Sequence, residues 1–64
     1  MEYYIRFSVI EEGYGLMGIE DVTVDCSPEE LKGKLDEFYA AHETNTTTYM
    51  LDEIYDEEGN EVKL

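Results

Sequence analysis

Residues 2–10 read EYYIRFSVI, and side chains of two kinds alternate along this stretch. The odd positions are all apolar or aromatic, whereas the even positions include charged and polar groups. Successive side chains of a β-strand point to opposite faces, so the alternation predicts a half-buried strand. The predicted core face carries Tyr3, Ile5, Phe7 and Val9, and the other face carries Tyr4, Arg6 and Ser8.

A turn and a second strand are predicted directly after this segment. Residues 11–15 read EEGYG, and the two glycines supply the positive φ angles that tight turns require. Residues 16–25 then form the second strand of a hairpin. In that strand Met17 and Ile19 are out of phase with Val22 and Val24. A bulge near Glu20-Asp21 is predicted to bring all four onto the core face.

Ser27-Pro28-Glu29-Glu30 is a strong signal for the start of a helix. Serine is a preferred N-cap, proline is favoured at the first helical position, and glutamate three residues after the cap completes a capping box. Apolar side chains then recur at spacings of four, three and four, which predicts one buried stripe. The stripe consists of Leu31, Leu35, Phe38 and His42.

Two further strands are predicted after the helix. Residues 46–55 are rich in threonine and tyrosine, with Met50 and Ile54 expected on one face and Tyr49, Leu51 and Tyr55 on the other. Residues 56–60 read DEEGN and predict a hairpin loop, followed by a terminal strand at 61–64. The whole chain, 1–64, is thus predicted to be one α+β domain with ββαββ order. Its two hairpins would form a four-stranded antiparallel sheet, with the helix packed on one face.

Charge is the outstanding feature of the composition. The 64 residues contain four Lys and Arg and 17 Asp and Glu, which gives a net charge of −13. Hydrophobic residues make up 42% and fall in ordered patterns, so the chain is expected to fold despite this repulsion. Direct binding of nucleic acid is not expected, because phosphate contacts require basic residues.

The expected location is the cytoplasm. Cys26 is the only cysteine and has no internal disulfide partner, which fits a reducing compartment. No apolar run approaches the ~20 residues of a membrane span, and the first residues do not resemble a signal peptide.

Neither catalysis nor metal binding is expected. Cys26 and His42 would lie at opposite ends of the helix, ~24 Å apart at ~1.5 Å rise per residue, so they cannot act as a nucleophile and base. Zinc lacks sufficient ligands, and the acids around Gly59 do not have the spacing of a calcium loop. A chain of this size has little room for a cleft. We therefore expect no enzyme activity and no cofactor.

Carboxylates dominate residues 52–61, which contain six of them. If two neighbouring strands carried them, they would present about one charge per ~3.4 Å, within a factor of two of duplex DNA at one per ~1.7 Å. An alternative interpretation is a solvated acidic edge that prevents aggregation. Tyrosines beside these acids would supply aromatic anchors, although tyrosine also simply suits strands. The predicted partner-binding residues are Glu20, Asp21, Tyr49, Asp52, Glu53, Tyr55, Asp56, Glu57, Glu58 and Glu61.

In its small size, acidity and tyrosine content the chain resembles the acidic inhibitor proteins of phages and mobile elements. These include anti-CRISPR, anti-restriction and uracil-DNA glycosylase inhibitor proteins. The resemblance is one of composition and carries over no individual residue. It implies a DNA mimic that occupies a basic nucleic-acid-binding surface of a host defence protein. The alternative is a small assembly domain that forms a homodimer, with the acids serving solubility.

Overall fold

The computed structural model describes all residues, 1–64, as a three-stranded antiparallel sheet with one helix on one face. The sheet order is β2-β1-β3, so the first strand lies in the centre. In chain order the elements are β1 (Glu2–Glu11), β2 (Gly15–Asp25), a 3₁₀ turn (Pro28–Glu30), α1 (Leu31–His42) and β3 (Thr47–Asp56).

The predicted fourth strand is wrong, and with it the four-stranded ββαββ sheet. Residues 61–64 make a single bridge between Tyr55 and Glu61, and the N–H of Val62 donates to the carbonyl of Ile54 at 2.9 Å. Val62 is also the only one of these four residues that packs against the core. Leu64 is 66% exposed, so no apolar contact holds the end of this segment along β3. The fold remains α+β, with three strands.

The alternation in β1 predicted its buried face correctly. Tyr3, Ile5 and Phe7 are each at most 2% exposed, and Val9 is partly exposed. These side chains face α1. Together with residues of α1 and of the neighbouring segments, the buried ones form a small core. Its members are Tyr3, Ile5, Phe7, Cys26, Leu31, Leu35 and Ile54.

The bulge in β2 lies elsewhere than predicted. The register with β1 is regular through Glu20-Asp21 and slips only between Val9 and Ile10, which leaves Met17 without a partner. Ile19 therefore pairs with Ser8 and lies on the face away from the helix, where it is 54% exposed. The expectation that Met17 and Ile19 join the core is wrong, because no element packs on that face.

A second bulge, in β3, was missed from the sequence. Arg6 pairs with Glu53 and Phe7 pairs with Leu51, so Asp52 is the extra residue. Each bulge residue shifts the alternation by one position. As a result Ile54 and Tyr49 lie on the helix side, while Met50 and Tyr55 lie on the opposite side. The predicted grouping of Met50 with Ile54, and of Tyr49 with Tyr55, is therefore wrong.

Ser27 caps the helical segment as predicted, but its first turn, Pro28–Glu30, is 3₁₀ and the α-helix itself starts at Leu31. The carboxylate of Glu30 accepts hydrogen bonds from the N–H and the hydroxyl of Ser27, at 3.1 and 2.9 Å. Leu31 and Leu35 are buried, and the ring of Phe38 stacks on Phe7 with centroids 4.5 Å apart. The predicted apolar stripe is confirmed for Leu31, Leu35 and Phe38, whereas His42, its last predicted member, is exposed. At twelve residues the helix falls short of the length and apolar character that a membrane span requires.

Candidate partner-binding surface

The face of the sheet opposite α1, here called the open face, is covered by nothing. The side chains of Tyr4, Arg6 and Ser8 in β1 lie on it, each between one residue of β2 and one of β3. Three rows therefore cross the sheet, one aromatic and polar, one charged and one mainly aliphatic. The rows are Thr23, Tyr4 and Tyr55; Asp21, Arg6 and Glu53; and Ile19, Ser8 and Met50.

Arg6 forms the centre of the charged row. Its Nε and Nη2 donate to the two carboxylate oxygens of Asp21 at 2.8 and 3.2 Å, and its Nη1 lies 3.6 Å from Oε1 of Glu53. The hydrogen bond and charge of Asp21 raise the pKa of Arg6, and the hydrogen bond from Arg6 lowers the pKa of Asp21. The row is thus cross-linked through one guanidinium.

Tyr4 and Tyr55 lie opposite each other next to this row. The hydroxyl of Tyr4 donates to Glu2 at 2.6 Å, and the hydroxyl of Tyr55 donates to Glu53 at 3.2 Å. These hydrogen bonds raise the pKa of both phenols, since ionising either would place a second negative charge beside the carboxylate. Tyr4 is 46% exposed and Tyr55 36%, so both rings present a face to solvent.

Two more carboxylates complete this surface. Glu61 forms a bridge with Tyr55, and Glu57 lies in the turn that joins β3 to Glu61. The charge of Glu57 also raises the pKa of Tyr4, and the charge of Glu61 raises the pKa of Tyr55. A depression of about 230 Å³ lies among the tyrosines and the charged row, with Asp21, Thr23 and Glu53 in its lining. We call this surface the Tyr4–Tyr55 site. It comprises Tyr4, Tyr55, Glu2, Glu53, Glu57 and Glu61.

The structure brings some of the predicted partner-binding residues together here. Tyr55, Glu53, Glu57 and Glu61 belong to the site, and Asp21 lines its depression. Asp52, the bulge residue of β3, lies beside the site. Its carboxylate accepts a hydrogen bond from the hydroxyl of Ser8 at 2.5 Å. These residues share the open face although 31 positions separate Asp21 from Asp52.

Other predicted residues lie apart from the site. Tyr49 is on the helix side, with its ring edge on Phe7 and Phe38 at centroid distances of 6.0 and 5.2 Å. Glu20 pairs with Phe7 and therefore lies on that side too, and burial together with its carboxylate raises the pKa of Tyr49. The expectation that Tyr49 and Tyr55 share one exposed face is wrong.

Asp56, one of the predicted partner-binding residues, stabilises the turn after β3. The carboxylate of Asp56 accepts the N–H groups of Glu58 and Asn60, each at 2.9 Å, and Gly59 adopts a φ of 85°. Asp56 thus shapes the loop, and Glu58 is exposed at its tip. Because no second acidic strand follows, the predicted phosphate-like line along two neighbouring strands does not form. The charge forms a patch around the two tyrosines instead.

Most carboxylates have no cationic partner. Of the 17 Asp and Glu side chains, only Asp25, Asp21, Glu53, Glu37 and Glu61 lie within 4.0 Å of a positively charged group. The other twelve do not, and they include Glu2 and Glu57 of the Tyr4–Tyr55 site. The surface therefore carries an uncompensated negative charge that a cationic partner could neutralise.

The groups with reactive chemistry lie elsewhere. Cys26 is 7% exposed within the core, and His42 stacks on Phe38 with centroids 4.1 Å apart. Nδ1 of His42 lies 2.9 Å from the carbonyl oxygen of Phe38, a contact at the C-terminal end of the helix. No three His, Cys, Asp or Glu side chains come together in a way that could hold a metal ion.

Sequence reasoning missed Tyr4 and Glu2 as site residues, and it missed Arg6 in the charged row beside them. The alternation of β1 had already placed Tyr4 and Arg6 on the face away from the core, which was the available signal. What the sequence lacked was the sheet order: β1 is central, so these side chains lie between those of β2 and β3.

The chain was compared with protein-family models, with curated proteins and with solved structures, and no match was found in any of the three.

Proposed function

We propose that this protein is an acidic binding protein that occupies a basic nucleic-acid-binding surface of a partner, as a DNA-mimic inhibitor does. The observation that carries the proposal is the Tyr4–Tyr55 site, in which two half-exposed aromatic rings are surrounded by four carboxylates. Rigid aromatic anchors within a charged rim are typical of protein interfaces. A host defence protein such as a CRISPR nuclease is the class of partner proposed, and the cytoplasm the place of action.

The chemistry of the site favours a cationic surface over other partners. Arginine and lysine side chains can pair with Glu2 or Glu57, and guanidinium groups can also stack on tyrosine rings. Nucleic acid itself would be repelled by a net charge of −13. The same charge would steer a basic partner toward the site, which makes association fast and sensitive to salt.

The test is displacement of a fluorescent DNA duplex from purified CRISPR nucleases, restriction endonucleases and uracil-DNA glycosylase. Two triple variants separate the site from bulk charge, since both remove three negative charges. The site variant is Glu2→Gln, Glu57→Gln and Glu61→Gln, and the control variant is Glu12→Gln, Asp36→Asn and Glu37→Gln.

We expect the native protein and the control variant to displace DNA from at least one of these enzymes, and the site variant to be at least tenfold weaker. Raising the salt concentration should weaken displacement steeply. Equal loss in both variants would show that only bulk charge matters. Failure of the native protein on every enzyme would contradict the proposed partner class.

A second candidate function is a homodimeric assembly domain. Leu16, Ile19 and Met50 are 65%, 54% and 51% exposed, and exposed aliphatic side chains on an uncovered sheet favour association. Sedimentation at rising protein concentration tests this candidate. An apolar dimer should persist or strengthen at high salt, whereas binding of a basic partner should weaken.

A further inference from the structure

The two outer strands of the sheet differ in how their free backbone edges are treated. In an antiparallel ladder, residues whose backbone groups bond to the neighbouring strand alternate with residues whose groups point away from it. The outer edge of each edge strand therefore presents a row of N–H and C=O groups. Such a row either finds partners within the chain or is open to another strand.

On β3 the outward groups find partners. The N–H of Thr47 donates to Oγ1 of Thr44 at 3.1 Å, and the N–H of Tyr49 donates to Oε2 of Glu43 at 3.0 Å. At the other end, Ile54 accepts from Val62 and Asp56 donates to Asn60, both at 2.9 Å. The chain thus covers this edge at four places. They are Thr47, Tyr49, Ile54 and Asp56.

On β2 the outward backbone groups have no hydrogen-bond partner within the chain. The N–H of Cys26 donates to the carbonyl of Met1 at 3.0 Å, which sets the phase of the ladder between β1 and β2. Alternation from that pair directs the backbone groups of Ile19, Asp21 and Thr23 away from β1. No backbone or side-chain group of the protein bonds to them.

We propose that the outer edge of β2 is a docking site for an extended, basic segment of the partner, which adds to the sheet as a fourth strand. The proposal rests on the proposed function, because it takes the partner to be basic. Strand addition obtains its affinity from backbone hydrogen bonds and its specificity from alternate side chains. The bare edge supplies the first requirement, over the eleven residues of β2.

Charge decides which occupant fits. Side chains of an added strand would lie beside Asp21, Thr23 and Asp25 on the open face, where lysine or arginine is favoured opposite the aspartates. On the helix side they would lie beside Val22 and Val24, where aliphatic residues fit. The strand that β2 selects therefore alternates basic and aliphatic residues.

A second copy of the chain is a poorer occupant. Antiparallel self-pairing centred on Asp21 puts that residue opposite itself, and pairing centred on Thr23 puts Asp21 opposite Asp25. Like charges directly opposite each other are destabilising. Both copies would also carry a net charge of −13.

The probe is a synthetic nonapeptide of alternating lysine and valine that begins and ends with lysine. In the docked register the lysines lie beside Asp21 and Asp25, and their backbone N–H groups bond to β2. N-methylation of the lysine residues therefore removes the N–H groups that bond to β2. N-methylation of the valine residues removes only the N–H groups on the other edge of the peptide, which point away from β2. Both methylated peptides keep the charge of the parent.

We expect the lysine-methylated peptide to bind at least tenfold more weakly than the parent and the valine-methylated peptide to bind like the parent. Amide hydrogen exchange should slow at Ile19, Asp21 and Thr23 when the parent binds. Equal binding of all three peptides without slower exchange would mean attraction by charge alone. That result, or no binding of any peptide, overturns the docking proposal.

A pair of variants provides a second, independent measurement. Thr23→Pro removes one outward N–H without removing a bond to β1. Proline is tolerated in a sheet at such an edge position, where its missing N–H would face solvent. Thr23→Val keeps the N–H and is the matched control. The proline variant should bind the parent peptide about tenfold more weakly and the control should bind like the native chain. Equal binding by both folded variants contradicts strand addition.

The outcome is separable from that of the proposed function. Slower exchange with the peptide, together with no displacement of DNA from any enzyme, would leave the docking edge standing and overturn the partner class. DNA displacement without dependence on the β2 edge would do the reverse.

Discussion

The two faces of the sheet use neighbouring residues of one strand for opposite purposes. On the helix side Phe7 is completely buried and stacks on Phe38. On the open face Arg6, the preceding residue, bonds to Asp21 and is half exposed. One face thus stabilises the fold by excluding water, and the other presents charge and aromatic rings to solvent. Because successive side chains alternate, substitutions on one face can be made with little effect on the other.

The tyrosines make the same division in a measurable way. Burial is the main cause that raises the pKa of Tyr3, Tyr39 and Tyr49, which lie on the helix side. A hydrogen bond to a carboxylate is the main cause for Tyr4 and Tyr55 on the open face. The direction of the shift is the same, but the physical origin differs by face.

The largest expected effect is on the helix side. Phe7→Ala should cost ~3–5 kcal/mol, which is as much as a core of this size usually supplies, so the variant should be unfolded in water. Ser8→Ala, one residue on and on the open face, loses one exposed hydrogen bond and should cost less than ~1 kcal/mol. Urea unfolding followed by circular dichroism measures both. A stably folded Phe7→Ala would contradict the assignment of the core to this face.

High pH should unfold the protein through the tyrosines. The folded state holds the protons of five phenols more tightly than the unfolded chain, in which their pKa is 10.0. Their contribution to stability is therefore complete below pH 10 and is lost as the pH rises through the higher folded values. Urea midpoints measured from pH 8 to pH 12 should fall only above pH 10. A midpoint that stays constant to pH 12 would contradict these shifts.

A smaller effect separates the two causes of the tyrosine shifts. Glu2→Gln substitutes a neutral amide for the carboxylate that accepts the hydrogen bond of Tyr4. The pKa of Tyr4 should therefore move down toward its ordinary value. The pKa of Tyr39 should not change, because burial dominates there. Titration of the phenol carbons by NMR measures both residues in one sample. An unchanged Tyr4 would mean that burial governs the open face as well.

The smallest expected effect concerns salt. With twelve carboxylates lacking a cationic partner, added salt should screen their repulsion and raise the melting temperature. Arg6→Gln leaves Asp21 and Glu53 without their cation, so its melting temperature should rise more steeply with salt than that of the native chain. Thermal melts from low to high sodium chloride make the comparison. An equal dependence of the two melting temperatures on salt would mean that Arg6 does not reduce the repulsion between the carboxylates of the charged row.

Much of the fold followed from local patterns. The alternation of residues 2–10 predicted the buried face of β1, and Ser27 with Glu30 predicted the helix start. The net charge and the exposed tyrosines pointed to a charged, aromatic surface, and Glu53, Tyr55, Glu57 and Glu61 were named in advance. These features depend on neighbouring residues or on composition, which a sequence displays directly.

Tertiary structure alone decided how distant segments align. The bulges at Met17 and Asp52 follow from the pairing of β1 with β2 and β3, and the contact between Ser8 and Asp52 spans 44 positions. A shift of one residue exchanges the two faces of a strand, so Ile19 and Tyr49 could not be placed without the register. The sheet order then put Tyr4 and Arg6 between acidic neighbours and left the edge of β2 bare. A sequence shows which side chains alternate, but only the packed sheet determines what each of them faces.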